Sequence, residues 1–281
     1  MLKRAQFWPS TSLRPRAWLG NFDEEDKEAA ALLLNEFVFI ESRSTDLMIR
    51  AAIDSLIDGL PKGPRAPSRH MLVAALDSAI VVPVTGENPN PTDSGNYICS
   101  RVRRTCDVPE ERIFSPDVAI GYAKRGHPIL FVDDFVGSGD QFLKTWFRGH
   151  DGISFSEAYE STGFIAMYAA AVSSQTGLKR ISEHAPVVGT SFAHVLSRQK
   201  SLEGIKESCA DAFEKFDYIL RKYVDRLIFT DDHFLNNPDS RKYGYKSLGL
   251  TMAFEHSVPD ATLPIFWASG VNNWIPLIRR T

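Results

Sequence analysis

Ile129-Leu130-Phe131-Val132-Asp133-Asp134-Phe135-Val136-Gly137-Ser138-Gly139-Asp140-Gln141-Phe142 is the stretch that decides how this chain folds. Its first part, with Pro128, is a short apolar run rich in residues that suit a strand buried on both faces. The run predicts a strand over 128–132 that ends in two adjacent carboxylates. A Gly/Ser turn follows, and then a helix to about Phe147. In open α/β sheets ligands bind beyond the C-terminal ends of strands. A glycine-rich turn at a helix N-terminus exposes backbone N–H groups that hold phosphate. The two acids cannot cradle that same anion. They suit vicinal ribose hydroxyls, which donate hydrogen bonds, or a metal-bound water. The spacing therefore reads as a place for a phosphorylated sugar. The plainer alternative is that the acids only cap a turn.

The neighbouring sequence supplies the rest of a sheet. Ala79–Val84 is a β-branched apolar run, Gly163–Val172 a third strand and Val187–Phe192 a fourth. Helices are predicted from about Tyr97 to Cys106 and near 175–184. Strands alternating with helices predict a parallel sheet covered on both faces. Upstream, 23–37 reads as a helix with acids in its first turn, and Ser44-Thr45-Asp46 as the cap of a second helix that stops near Gly59. Residues 61–70 read as a loop. Residues 201–226 read as one helix with Leu202, Ile205, Cys209, Phe213, Phe216 and Leu220 on one face. Leu248–Phe254 and Leu263–Trp267 read as two strands around a polar loop, an antiparallel hood. The resulting division is 1–70, a helical extension; 71–230, the α/β core; and 231–281, the hood.

Composition narrows the class. The chain has 281 residues, 32 Lys+Arg against 35 Asp+Glu, and a formal charge of -3. That balance carries no general nucleic-acid signature. Three cysteines (Cys99, Cys106, Cys209) form neither a disulfide ladder nor a CxxC knuckle, which fits a reducing compartment. The first residues are basic but lack the apolar run of a signal peptide, and no apolar stretch is long enough to span a membrane. A cytoplasmic protein is expected.

The segment VDDFVGSGDQF resembles the phosphoribosyl pyrophosphate (PRPP) motif of type I phosphoribosyltransferases. The resemblance implies that Asp133 and Asp134 bind the ribose 2- and 3-hydroxyls and that Gly137, Ser138, Gly139, Asp140 and Gln141 form the 5-phosphate loop. Ser138 falls where that family usually has Thr, and Gly139 where it has Gly. Gly137 and Gln141 stand where it usually has Thr, and Asp140 adds a negative charge. With the N-terminal helices, the Asp93-Ser94-Gly95 turn and the tail LGLTMAFEHSVPDATLPIFW, the chain resembles the phosphoribosyltransferase-like proteins of bacterial conflict systems, including those beside retron reverse transcriptases. This implies an anti-phage effector that uses PRPP with Mg²⁺, no direct protein ligand to the metal, and a reverse transcriptase–nucleic acid complex or another defence-module protein as partner. Self-association is a further expectation.

Other residues have two readings each. Ser94, Gly95 and Asn96 either meet pyrophosphate at a helix start or form a capped loop. Arg101, Arg103 and Arg104 face pyrophosphate or nucleic acid, or form a solvated helix face. Glu255 and His256 supply a base or recognition group from the hood, or a polar turn. Asp231-Asp232-His233 reads as a loop start rather than a metal triad. Functionally, a PRPP-using enzyme stands against a non-catalytic PRPP- or nucleotide-binding or partner-docking subunit. An enzyme acting on nucleic acid is a third option.

Overall fold

The computed structural model describes residues 12–58, 67–85, 94–196, 201, 204–206 and 209–280. Expectations placed on residues 1–11, 61–66, 86–93 and Leu202 lie outside these. By packing, the chain falls into two units that do not follow three consecutive segments. One is Arg43–Leu196, and the other joins Met1–Ser42 to Ser197–Thr281.

The unit Arg43–Leu196 carries the parallel sheet. Helix α3 (Ser42–Asp54) enters it, α4 (Arg69–Ser78) follows, and then β2 (Ile80–Pro83), α5 (Ser94–Thr105), α6 (Pro116–Ala123), β3 (Ile129–Val136), α7 (Asp140–Phe147), α8 (Phe155–Thr162), β4 (Ala166–Ser174), α9 (Gln175–His184) and β5 (Gly189–Leu196). The sheet order is β2-β3-β4-β5, and every pairing is parallel. This is the α/β architecture expected. All eight residues of β3 and all nine of β4 are buried, as strands covered on both faces must be. On one face, Phe131 and Tyr168 join Phe142, Trp146, Phe155 and Ile181 of α7–α9 in one core. Phe142 stacks on Tyr168 with ring centroids 4.2 Å apart. Helix α5 packs against β2 and β3.

Three corrections bear on the site. β3 does not stop at Val132; it stays paired with β4 to Val136, with Asp133 opposite Ala170 and Phe135 opposite Val172. The acids are therefore inside the strand, not beyond it. Helix α5 starts at Ser94, which puts Ser94, Gly95 and Asn96 in its first turn. Helix α3 starts at Ser42, so Ser44-Thr45-Asp46 lie inside it and do not cap it.

In the other unit, α1 (Pro15–Leu19), α2 (Lys27–Asn35) and β1 (Val38–Ile40) precede the sheet-bearing unit, and α10 (Ala210–Tyr223), β6 (Leu227–Ile228), β7 (Met252–Phe254) and β8 (Ser269–Gly270) follow it. Its core buries Trp18, which stacks on Phe266 at 5.2 Å and donates its indole N–H to the Ile265 carbonyl. Phe216 and Leu220 of the expected helical stripe are buried, and Cys209 is exposed. The tail contains an antiparallel pair, but it is β6 with β8. The hairpin of 248–254 with 263–267 does not form. β7 pairs in parallel with β1, register Val38↔Met252, and Pro264–Phe266 is a 3-10 turn. A Pro at the start of the second segment removes a ladder donor, which suits the turn.

Candidate functional site

The loop after β3 is fixed by glycine geometry and by the start of the next helix. Gly139 adopts φ 80, the left-handed conformation open to glycine, and is the N-cap of α7. Its neighbour is α9. Gly177 lies so close that a Cβ there would stand 2.5 Å from the Gly137 carbonyl and 2.8 Å from Val136 Cγ1. Ser174 makes the joint: its Oγ accepts from the Gly177 N–H at 2.9 Å, capping α9, and donates to the Gly137 carbonyl. The loop is thus locked to the start of the next helix by packing and by one hydroxyl.

Asp140 resolves the oddest feature of the motif. It opens α7, where a negative charge suits the helix dipole. One carboxylate oxygen accepts from Ser138 Oγ at 2.9 Å, and the other pairs with Arg180 of α9 at 2.6 Å. Ser138 Oγ in turn accepts from the Asp140 N–H at 3.3 Å. Gln141 is exposed.

The two acids are more enclosed than a surface site would have them, at 2% and 4% exposure for Asp133 and Asp134. Asp133 accepts from the Asp134 N–H at 2.9 Å and from the Tyr168 hydroxyl at 3.3 Å. Burial, and then the neighbouring Asp134 charge, raise the Asp133 carboxyl well above the usual carboxylate range. The same burial, with Asp133 close by, pushes the Cys99 thiol of α5 up to about 12. Asp133 is therefore a core acid tied to Tyr168. β2 ends at Pro83, opposite Val132, so the acids follow the point where the β2 ladder stops.

The first turn of α5 closes against that point. A Cβ on Gly95 would meet the Val84 carbonyl at 2.2 Å, so glycine is required for the approach. Ser94 and Asn96 flank it, half-buried. Arg101, the pyrophosphate candidate, is engaged elsewhere: its guanidinium forms a two-pronged pair with Asp46 of α3. Arg103 pairs with Glu110 at 3.0 Å on the surface.

Glu255 and His256 belong to the other packed unit. The Glu255 carboxylate accepts from the Ser42 N–H at 2.9 Å, and that bond holds its pKa below the ordinary value. It borders a cavity of about 210 Å³, together with Arg14, Ser257 and Arg279. His256 lies over Phe254 at 5.2 Å. Asp231 accepts from the His233 N–H and caps a short helix over Asp232–Asn236, so Asp232 and His233 open a helix where a loop start was expected. Among the described residues, the acids that converge as metal ligands would are Asp23, Glu25 and Asp26. Lys222 Nζ already occupies their focus, at 3.1, 3.2 and 2.6 Å. That cluster is an ion-pair knot, with the Tyr223 hydroxyl also donating to Asp26.

A family model, PRTase-CE, matches residues 15–280. The chain belongs to the PRTase-CE family. It is a phosphoribosyltransferase-like protein, and the match covers both packed units. No curated protein and no solved structure matches it. For a PRTase-CE chain, the β3–loop–α7 unit is the natural centre of attention. Sequence reasoning missed Tyr168, Ser174, Gly177 and Arg180 around that unit. Only Gly177 left a signal, as a helical glycine with no local reason to be one.

Proposed function

We propose that this PRTase-CE chain binds PRPP, as its Mg²⁺ complex, at the C-terminal edge of β2 and β3 and transfers the phosphoribosyl group to a nucleotide or nucleic-acid acceptor. The observation that carries the reading is the loop Gly137–Gly139. It is held by Ser174 and by the close approach of Gly177, directly ahead of helix α7. Rigid backbone N–H groups at a helix start are the right chemistry for a terminal phosphate. Asp134 takes the ribose hydroxyls, and Asp133, whose carboxyl burial holds above the usual carboxylate range and which accepts from the Tyr168 hydroxyl, positions it. Ser94 to Asn96, in the first turn of α5, meet the pyrophosphate. Mg²⁺ enters with the substrate, carried on its phosphates.

Transfer at C1 passes through an oxocarbenium-like state, so the protein's task is alignment of two reactants and stabilisation of the leaving group. Alignment alone supplies about 7–11 kcal/mol in the best cases. Such chemistry needs no strong base, and neither Glu255 nor His256 is required for it. The resemblance to conflict-system proteins supports a defence role beside a retron reverse transcriptase. Co-purification of the chain with a reverse transcriptase from its native operon tests that role, and absence of any such partner contradicts it.

One observation favours a second reading, a PRPP or nucleotide sensor without turnover. Both acids are almost wholly enclosed, and Asp133 is tied to a core tyrosine. Incubation with Mg²⁺ and PRPP separates the two. Pyrophosphate release supports transfer or hydrolysis, and saturable binding without release supports the sensor.

A further inference from the structure

The loop proposed to hold a dianionic phosphate contains a carboxylate, and the structure shows where its charge goes. Asp140 is buried, with one oxygen on Ser138 Oγ and the other on the Arg180 guanidinium. The hydroxyl proton of Ser138 is thereby committed to Asp140, so Ser138 cannot also donate it to a ligand. Arg180 differs. Its side chain is 38% exposed against 11% for Asp140, and a guanidinium has five N–H donors, most of which one carboxylate leaves over. The ion pair thus presents its cationic half to solvent beside the loop and keeps its anionic half inside.

We infer that Arg180 is the phosphate-selecting cation of this site, held at the loop by Asp140. It deepens the PRPP reading and rests on it. The ligand class is a sugar carrying a terminal phosphate monoester. Asp140 acts as a positioning residue that orients both Ser138 and Arg180. In this arrangement the acid is no obstacle to phosphate, because its charge is already matched. A ligand phosphate then shares Arg180 with Asp140, as planar guanidinium groups readily do.

The two partners should act in opposite directions on affinity, which a purely structural ion pair would not do. Calorimetric titration of the full chain with ribose 5-phosphate, with melting curves alongside, reads this out. Arg180→Gln should weaken binding by about tenfold or more. Asp140→Asn should tighten it by about threefold, because an amide of the same size still accepts at the loop and keeps the Arg180 contact, while the negative charge that competes with the ligand phosphate is gone. Asp140→Asn should also lower the melting temperature. Should Arg180→Gln not fold, Arg180→Lys reads the same contact: one ammonium serves carboxylate and phosphate less well, and weakening is expected. Wild-type binding with unchanged affinity in the Arg180 variants overturns the inference and leaves the PRPP reading standing. Weakening by both Arg180→Gln and Asp140→Asn also overturns it, as the mark of a structural pair. Equal affinity for inorganic phosphate and ribose 5-phosphate supports Arg180 while counting against the sugar-binding acids. No binding of either ribose 5-phosphate or Mg²⁺–PRPP by the wild type overturns both.

Discussion

Gly177→Ala isolates the joint between the phosphate loop and helix α9. Two effects of opposite sign act at this position. Gly177 is helical, and alanine in a helix interior gains roughly 0.8–1.0 kcal/mol over glycine. Against that, the added Cβ would stand 2.5 Å from the Gly137 carbonyl oxygen, 2.8 Å from Val136 Cγ1 and 3.1 Å from the Val136 carbonyl. Two of these three contacts are backbone atoms, one in the loop and one at the end of β3, which cannot swing aside as a flexible side chain does. Either α9 moves out by about an ångström or the loop does, and overpacking of this kind costs about 1–3 kcal/mol. Movement also stretches the Ser174 bonds to Gly137 and Gly177. The clash should win, leaving a net destabilisation of up to about 2 kcal/mol. For a chain of this size that is a fall of up to roughly 4 °C in melting temperature. PRPP affinity should fall with it, because the displaced atoms belong to the phosphate loop. Gly121→Ala in α6 is the control: its Cβ would meet only Arg125 Nη1, at 3.7 Å, so this variant should be stabilised. Differential scanning calorimetry with a PRPP titration reads both. A Gly177→Ala protein that melts at or above the wild type with unchanged affinity would refute the proposed coupling of loop and helix.

Asp133→Asn should leave the protein as stable as the wild type or more so at neutral pH. The Asp133 carboxyl has a folded pKa raised by burial, so its stabilising contribution is full below the unfolded carboxylate pKa of about 3.9 and is lost as pH rises toward the folded value. The advantage of the Asn variant should therefore shrink as pH falls to 4, and melting curves across that range check it. Arg101→Ala should lower stability by about 1 kcal/mol through loss of the Asp46 pair, with PRPP affinity unchanged by calorimetry. Lys222→Gln should lower the melting temperature by leaving Asp26 buried beside two like charges.

The parts of the fold that local chemistry specifies were legible, and those set by distant pairing were not. Apolar runs announced the four strands of the parallel sheet, and the Gly-Ser-Gly turn placed α7. The sequence could not say where β3 stops, because that depends on β4 continuing beside it to Ser174. The two acids therefore looked like a surface feature when they are enclosed. Helix α8 carries a local signal: Ser154 and Glu157 form a reciprocal cap. β7 lies within a stretch that reads as a strand, but nothing local names its partner, since β1 lies more than 200 residues earlier and runs parallel to it. The tail was read as a hairpin because neighbouring apolar segments usually pair. Around the site, Asp140 was legible as an anomaly. Its answer, Arg180, sits forty residues on in another helix, and only the packing of α7 beside α9 brings the two together.

The most direct test is a calorimetric titration of the wild-type chain and of Asp134→Asn with Mg²⁺–PRPP. Saturable binding by the wild type at millimolar concentration or below is expected, lost in the variant while its melting curve stays close to that of the wild type. Equal binding by both proteins, or no binding by the wild type, would contradict the assignment of this strand and loop as a phosphoribosyl site.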